Sequence, residues 1–292
     1  MLHPLLTITR VLAVLGLVIC AWSVALERPS NSYTRQSNPT AIAVAFDLSP
    51  SMLAIPGPAF GQDIPPRYVR ARSVLLELFS ALQERRENIF VALVGFTRNA
   101  EVLMGWDNNS SQLSEMIEYG LSPGLFTSTG TSMEAAVGTV VDLFDMLPTD
   151  LRDSSRKIAI LVSDGEDTMP QSYLGYALED LASGSFDVIA LQTGLLDTSE
   201  GVPKYGQVGE FLGFESMGGE LYTLPSAEAM SAIANATNEH GLHVRAEDPL
   251  AVQRMLEFTV DGNIGGGRLG KQQLAILGMF IVVALLCARV LQ

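Results

Sequence analysis

Cysteine, histidine and, through most of its length, positive charge are scarce in this chain. Its two cysteines, Cys20 and Cys287, both fall inside apolar terminal runs. The stretch between them therefore carries no disulfide, no thiolate metal site and no cysteine nucleophile. The three histidines, His3, His240 and His243, are scattered and none sits in a motif. A serine or metallo-hydrolase mechanism thus lacks its usual base, and His240 and His243 read as cap or surface residues near a helix end. Two near-motifs also fail. Ser216, in Phe214-Glu215-Ser216-Met217-Gly218, lacks the first glycine of a nucleophile elbow. Gly265–Lys271 resembles a phosphate loop, but Gln272 stands where Ser or Thr is required and no strand precedes it; it reads as linker.

The ends, residues 1–40 and 263–292, hold six of the 18 basic residues and one of the 32 acidic ones. That leaves 12 basic against 31 acidic residues in 41–262, a net charge of −19. So acidic a domain excludes nucleic acid as a partner and is repelled by anionic lipid. It suits cations, basic partners or solubility.

The apolar excess is terminal. Residues 11–26 and 274–288 carry no charge and are flanked by Arg10, Arg28, Lys271 and Arg289. Both read as membrane-spanning segments, slightly short of the ~20 residues a spanning helix needs, with basic side chains placed to snorkel. The first is expected as an uncleaved anchor; a cleavable secretory signal is the alternative, with Ser23-Val24-Ala25 as its small-residue site. Either exports the middle of the chain. The expected layout is an anchor or signal over 1–26, a polar linker over 27–40, a domain over 41–261, a flexible linker over 262–271 and a transmembrane helix over 272–290. The expected location is the inner cell membrane, with the domain periplasmic or otherwise extracytoplasmic.

Within 41–261, strand-like runs alternate with amphipathic helical ones. Strands are expected at 41–47, 89–96, 100–104, 157–163, 187–193 and, more weakly, 242–246. Helices are expected at 67–85, 110–119, 132–146, 173–183, 227–239 and 249–259. The runs AIAVAF, IAILV and DVIAL are continuously apolar, as central parallel strands covered on both faces are. The pattern predicts an α/β fold with a doubly wound, mostly parallel sheet. Ligands of such sheets sit at the carboxyl ends of the strands, where the strand order reverses.

The first expected strand ends in Asp47-Leu48-Ser49-Pro50-Ser51, and the fourth in Ser163-Asp164-Gly165-Glu166-Asp167. A further loop reads Ser128-Thr129-Gly130-Thr131-Ser132. Three distant loops thus offer carboxylates and hydroxyls at one sheet edge. Ligands that are all oxygen suit a hard divalent cation, Mg²⁺ above all, with Mn²⁺ or Ca²⁺ as alternatives. Few direct protein ligands leave a position open for an oxygen from outside.

These runs, AVAFDLSPSM, TGTSMEAAV and ILVSDGED, resemble the von Willebrand factor A domain. The resemblance implies a metal-ion-dependent adhesion site. Asp47, Ser49 and Ser51 match its Asp-x-Ser-x-Ser motif, Thr131 its threonine (Thr129 being the less suited substitute) and Asp164 its aspartate. It implies that Ser49, Ser51 and Thr131 contact the cation and that Asp47 and Asp164 act directly or through water. A protein partner would then offer an acidic side chain to the ion. Along most of its length the chain resembles bacterial membrane-anchored members of the aerotolerance, or Bat-like, type. Those usually begin with two membrane helices, whereas this chain has room for one. The related proteins encoded with methanol dehydrogenase, implicated in its assembly and calcium insertion, are therefore also in view. The resemblance further suggests other membrane-anchored relatives and an AAA+ ATPase as partners, in assembly, maturation or stress tolerance of envelope proteins. Residues 194–220 are the least family-like, and are expected to shape a partner-specific surface.

The enzymatic alternative is a Mg²⁺-dependent phosphohydrolase of the aspartyl-phosphate type, which also uses an Asp after the first strand. It wants a second Asp two residues on, where this chain has Ser49, and a lysine that is not evident near Asp164. The expectation is a protein without catalytic residues.

Overall fold

The first strand, β1 (Thr40–Asp47), alternates alanine with larger apolar side chains, and both of its faces are buried. Its placement explains the pattern. In the computed structural model, which describes residues 39–261 apart from 57–63, 86, 125–129, 154, 169–170, 185, 197, 216–221 and 238–239, β1 lies inside a six-stranded sheet. The other main strands are β3 (Ile89–Phe96), β4 (Ala100–Asp107), β5 (Arg156–Ser163), β6 (Asp187–Gln192) and β11 (Gly241–Arg245). Their order is β11-β6-β5-β1-β3-β4. All neighbours pair parallel except β3 and β4, which are antiparallel.

Two helical layers cover the sheet. Ile42, Val44 and Phe46 face a layer containing α1 (Arg67–Glu84), α2 (Ser110–Glu115) and α7 (Ala251–Asp261). Ala41, Ala43 and Ala45 face α3 (Met133–Asp145), α5 (Gln171–Ser183) and α6 (Ala227–Asn235). The short α4 (Thr149–Arg152) precedes β5. The small alanine side chains leave room for Met133, Ala136, Val137 and Val140 of α3, all fully buried. Each large apolar side chain buried in these layers contributes roughly 1.5–3 kcal/mol. Two polar residues define helix starts. The Asn109 side chain accepts from the N–H groups of Ser111 and Gln112 at the head of α2, and Ser132 accepts from that of Ala135 at the head of α3; each satisfies donors that have no partner within the helix.

The α/β fold and its mostly parallel sheet agree with expectation; the helix ends do not all agree. After Glu115 the chain continues as a wider π turn over Met116–Gly120, and α6 stops at Asn235 rather than running to 239. Residues 194–220, expected to shape a partner-specific surface, contain the short strands β7 (Glu200–Gly201), β8 (Pro203–Tyr205) and β9 (Phe211–Phe214), and β10 (Tyr222–Thr223) follows them. β7 bridges β10 and β2 (Ile55–Pro56), while β8 and β9 make a hairpin. That hairpin exposes Tyr205, Val208, Phe211 and Leu212.

The apolar runs 11–26 and 274–288 and the linker residues 27–38 and 262–271 lie outside the described residues. Among the described residues, no helix is long and apolar enough to cross a membrane.

Candidate metal centre

From β1 the chain crosses to β3 on one side, and β5 later takes the other side of β1. The order therefore reverses between β1 and β5, and a crevice opens at their carboxyl ends. In register, Asp47 pairs with Phe96 and Ser163 with Gln192, so β1, β3, β5 and β6 all end at this edge.

Asp47 is fully buried and anchored at both oxygens. Its Oδ1 accepts the Ser49 N–H at 2.8 Å, and its Oδ2 accepts the Ser163 hydroxyl at 2.6 Å. The first of these folds the loop after β1 back on itself. The Ser49 and Ser51 hydroxyls then stand 3.0 Å apart, and Pro50–Leu53 forms one short 3₁₀ turn. Asp164, also fully buried, follows the last residue of β5. Its Oδ1 accepts the Glu166 N–H at 3.0 Å, and its Oδ2 accepts from the Arg67 guanidinium at 2.7 Å. The turn after it needs glycine: Gly165 has φ +84°, and a Cβ there would lie 2.1 Å from the Ser226 carbonyl. Thr131 is 2% exposed, and its backbone is clasped by Thr168, which bonds both its N–H and its C=O. That clasp ties the loop following Asp164 to the start of α3. The Ser132 N–H bonds the Thr97 carbonyl and the Leu48 N–H bonds that of Phe96, so the threonine loop and the first loop meet the same end of β3.

The structure thus gathers all five expected residues at one sheet edge. Thr129 lies outside the described residues. His240 and His243 are elsewhere: His240 contacts Asp187, and His243 contacts Ser231 and Gln192.

Four further residues join the site. Ser163 and Thr168 hold Asp47 and Thr131 as described. Arg67, fully buried at the head of α1, bonds Asp164, Glu200 and the Thr223 carbonyl. Glu200, on β7, also pairs with Arg70, which in turn pairs with Glu247. A signal for Arg67 was present: Arg67, Ala71, Val74, Leu75, Leu78 and Leu82 form one buried helical stripe, so a cation opens an otherwise apolar face. Glu200 had no such signal, because its segment lacks periodicity.

The site is over-supplied with negative charge. Asp47, Asp164, Glu166, Glu200 and Glu247 are linked to Arg67, Arg70 and Arg245, five carboxylates against three guanidiniums. Burial, and after it the charge of Asp164, pushes the Asp47 carboxyl from 3.8 up to about 7, against the pull of the bonds from Ser163 and Ser49. Burial, and again Asp164, raises Glu166 from 4.5 to about 7. Among the described residues no three His, Cys, Asp or Glu side chains cluster as a metal group; a cation here would need the hydroxyls as well as the two aspartates. Ser49, Ser51, Thr131, Asp47 and Asp164 make a donor set of oxygen alone, which fits Mg²⁺, Mn²⁺ or Ca²⁺.

Residues 42–166 match the family model of the von Willebrand factor type A domain. Over these residues the chain is similar to the von Willebrand factor A (VWA) domain. The matched span opens within β1 and closes just past Asp164, so it contains all five site residues. Two solved structures share this fold at a TM-score of 0.62 each. One is an aerotolerance-related membrane protein from Bacteroides fragilis carrying multiple mutations to serine; it is 22% identical, over 76% of this chain and 99% of the other. The second is the conserved hypothetical protein BatB from Bacteroides thetaiotaomicron, 20% identical, over 76% of this chain and 98% of the other. No curated protein matches in sequence.

Proposed function

We propose that this protein is a membrane-anchored VWA module that binds one divalent cation, Mg²⁺ being best suited and Mn²⁺ or Ca²⁺ alternatives, and uses it to hold a protein partner. Asp47, Ser49, Ser51, Thr131 and Asp164 form the site. The observation that carries the proposal is the fully buried Asp47 carboxyl set beside the charge of Asp164, a repulsion that a positive charge relieves. A divalent cation supplies that charge and, once bound, polarises an oxygen offered from outside, so an acidic side chain of the partner is the natural ligand. The exposed hairpin residues Tyr205, Val208, Phe211 and Leu212 give the same partner an apolar contact, on a segment tied to the site through Glu200.

The cellular role we propose is assembly, maturation or stress tolerance of envelope proteins, with other membrane-anchored VWA proteins and an AAA+ ATPase among the partners. The resemblance to Bat-like proteins supports this, as does a fold neighbour described as an aerotolerance-related membrane protein. The apolar ends support anchoring in the inner membrane, with the domain on the outer side. No catalytic residue is assigned: Ser49 stands where an aspartyl-phosphate enzyme needs its second aspartate, and both Asp47 oxygens are engaged in hydrogen bonds.

The test is retention of solubilised envelope proteins on the immobilised full-length chain, in Mg²⁺ and in chelator, beside Asp47→Asn. Proteins held only by the wild type in Mg²⁺ are expected. An identical set in all three conditions contradicts the proposal.

A further inference from the structure

Arg67 occupies an unfavourable position. It is the first residue of α1, where the helix dipole disfavours a cation, and it is fully buried. Its guanidinium is divided among fixed partners: Nη1 donates to Asp164 Oδ2 at 2.7 Å, Nε to Glu200, and Nη2 to the Thr223 carbonyl at 3.0 Å. The other Asp164 oxygen accepts the Glu166 N–H. The contrast with Asp47 is chemical. Asp47 accepts from a backbone N–H and from the Ser163 hydroxyl, and a hydroxyl can rotate away. The Arg67 fork cannot turn from Asp164 without leaving Glu200 and Thr223, and it cannot lose its charge.

We propose that Arg67 is a positioning residue that keeps Asp164 from direct contact with the bound cation, so that Asp164 acts on it through water and the ion, short of one direct anionic ligand, stays receptive to a carboxylate from the partner. This rests on the cation-site reading above. It gives Glu200 a role as well: by sharing the guanidinium, Glu200 fixes where the fork points, and so links the site to the sheet of β2, β7 and β10. A more anionic set of direct ligands would bind the ion more tightly but would blunt its attraction for an outside carboxylate.

The test uses the full-length chain titrated with Mn²⁺, reading affinity together with the number of waters on the ion from water-proton relaxation. Wild type, Asp164→Asn and Arg67→Gln are compared. With Asp164 held off the ion, Asp164→Asn leaves the water number unchanged. Arg67→Gln frees Asp164 to reach the ion; one water is lost and Mn²⁺ binds on the order of tenfold more tightly, as expected when a nearby positive charge is removed. A merely structural arginine would alter stability but not the water number. The proposal is overturned if Asp164→Asn gains a water, or if a folded Arg67→Gln keeps the wild-type number. Should Arg67→Gln fail to fold, Arg67→Lys, which keeps the charge but loses the fork, takes its place: one water fewer than wild type is expected, and the wild-type number overturns the proposal. A wild type that binds no Mn²⁺ removes the cation site itself, and this inference with it.

Discussion

Arg67 and Asp164, both without solvent exposure, share an ion pair of 2.7 Å between the head of α1 and the loop after β5. The pair joins two segments 97 residues apart and also fixes β7, because Glu200 takes the same guanidinium. Removing one partner of a buried pair leaves a charge stranded in a poorly polarisable interior.

Arg67→Met is therefore expected to lower unfolding stability by about 3–5 kcal/mol, measured by urea titration of the full-length chain. Neutralising the stranded carboxylates as well, with Asp164→Asn and Glu200→Gln in the same chain, should recover most of that loss. A small cost for Arg67→Met alone would show that the pair is not the tie between these segments.

The raised carboxyls give a pH dependence of defined sign. Folded Asp47 titrates near 7, against an ordinary value of 3.8. Between those values the folded state binds the proton that the unfolded state has lost, so the group's contribution to stability falls as pH rises through the window and reaches its minimum above about 7. Glu166, raised from 4.5 to about 7, acts in the same direction. In chelator, the wild type should lose melting temperature between pH 5.5 and 8 relative to Asp47→Asn, and Mg²⁺ should restore it at pH 8. Parallel pH curves for the two proteins would rule this out.

Gly165 tests the local backbone. Its φ of +84° and its closeness to the Ser226 carbonyl leave no place for a Cβ. Gly165→Ala should cost at least ~1–3 kcal/mol from backbone strain, and should weaken cation binding because Asp164 precedes it. Wild-type melting and affinity would mean that the turn can re-form.

Much of this was legible in the sequence because the determinants are local. The unbroken apolar run AIAVAF marks β1 as a strand covered on both faces. The stripe from Ala71 to Leu82 names the inner face of α1. The five site residues directly follow strand ends or precede a helix, where topology must bring them together. What was not legible depends on tertiary contact. Glu200 lies in a segment whose short strands have no period to read, and it reaches the site only because Arg67 turns inward from the head of α1. The π turn after Glu115 and the early end of α6 likewise follow from packing that propensity does not encode.

The central claim is that Asp47, Ser49, Ser51, Thr131 and Asp164 hold one divalent cation. Calorimetric titration of Mg²⁺ and Mn²⁺ into the full-length chain at pH 7.5, beside Asp47→Asn, tests it most directly. Saturable binding of one ion with proton release, lost in Asp47→Asn, is predicted. Absence of binding in the wild type, or equal binding by both proteins, contradicts it.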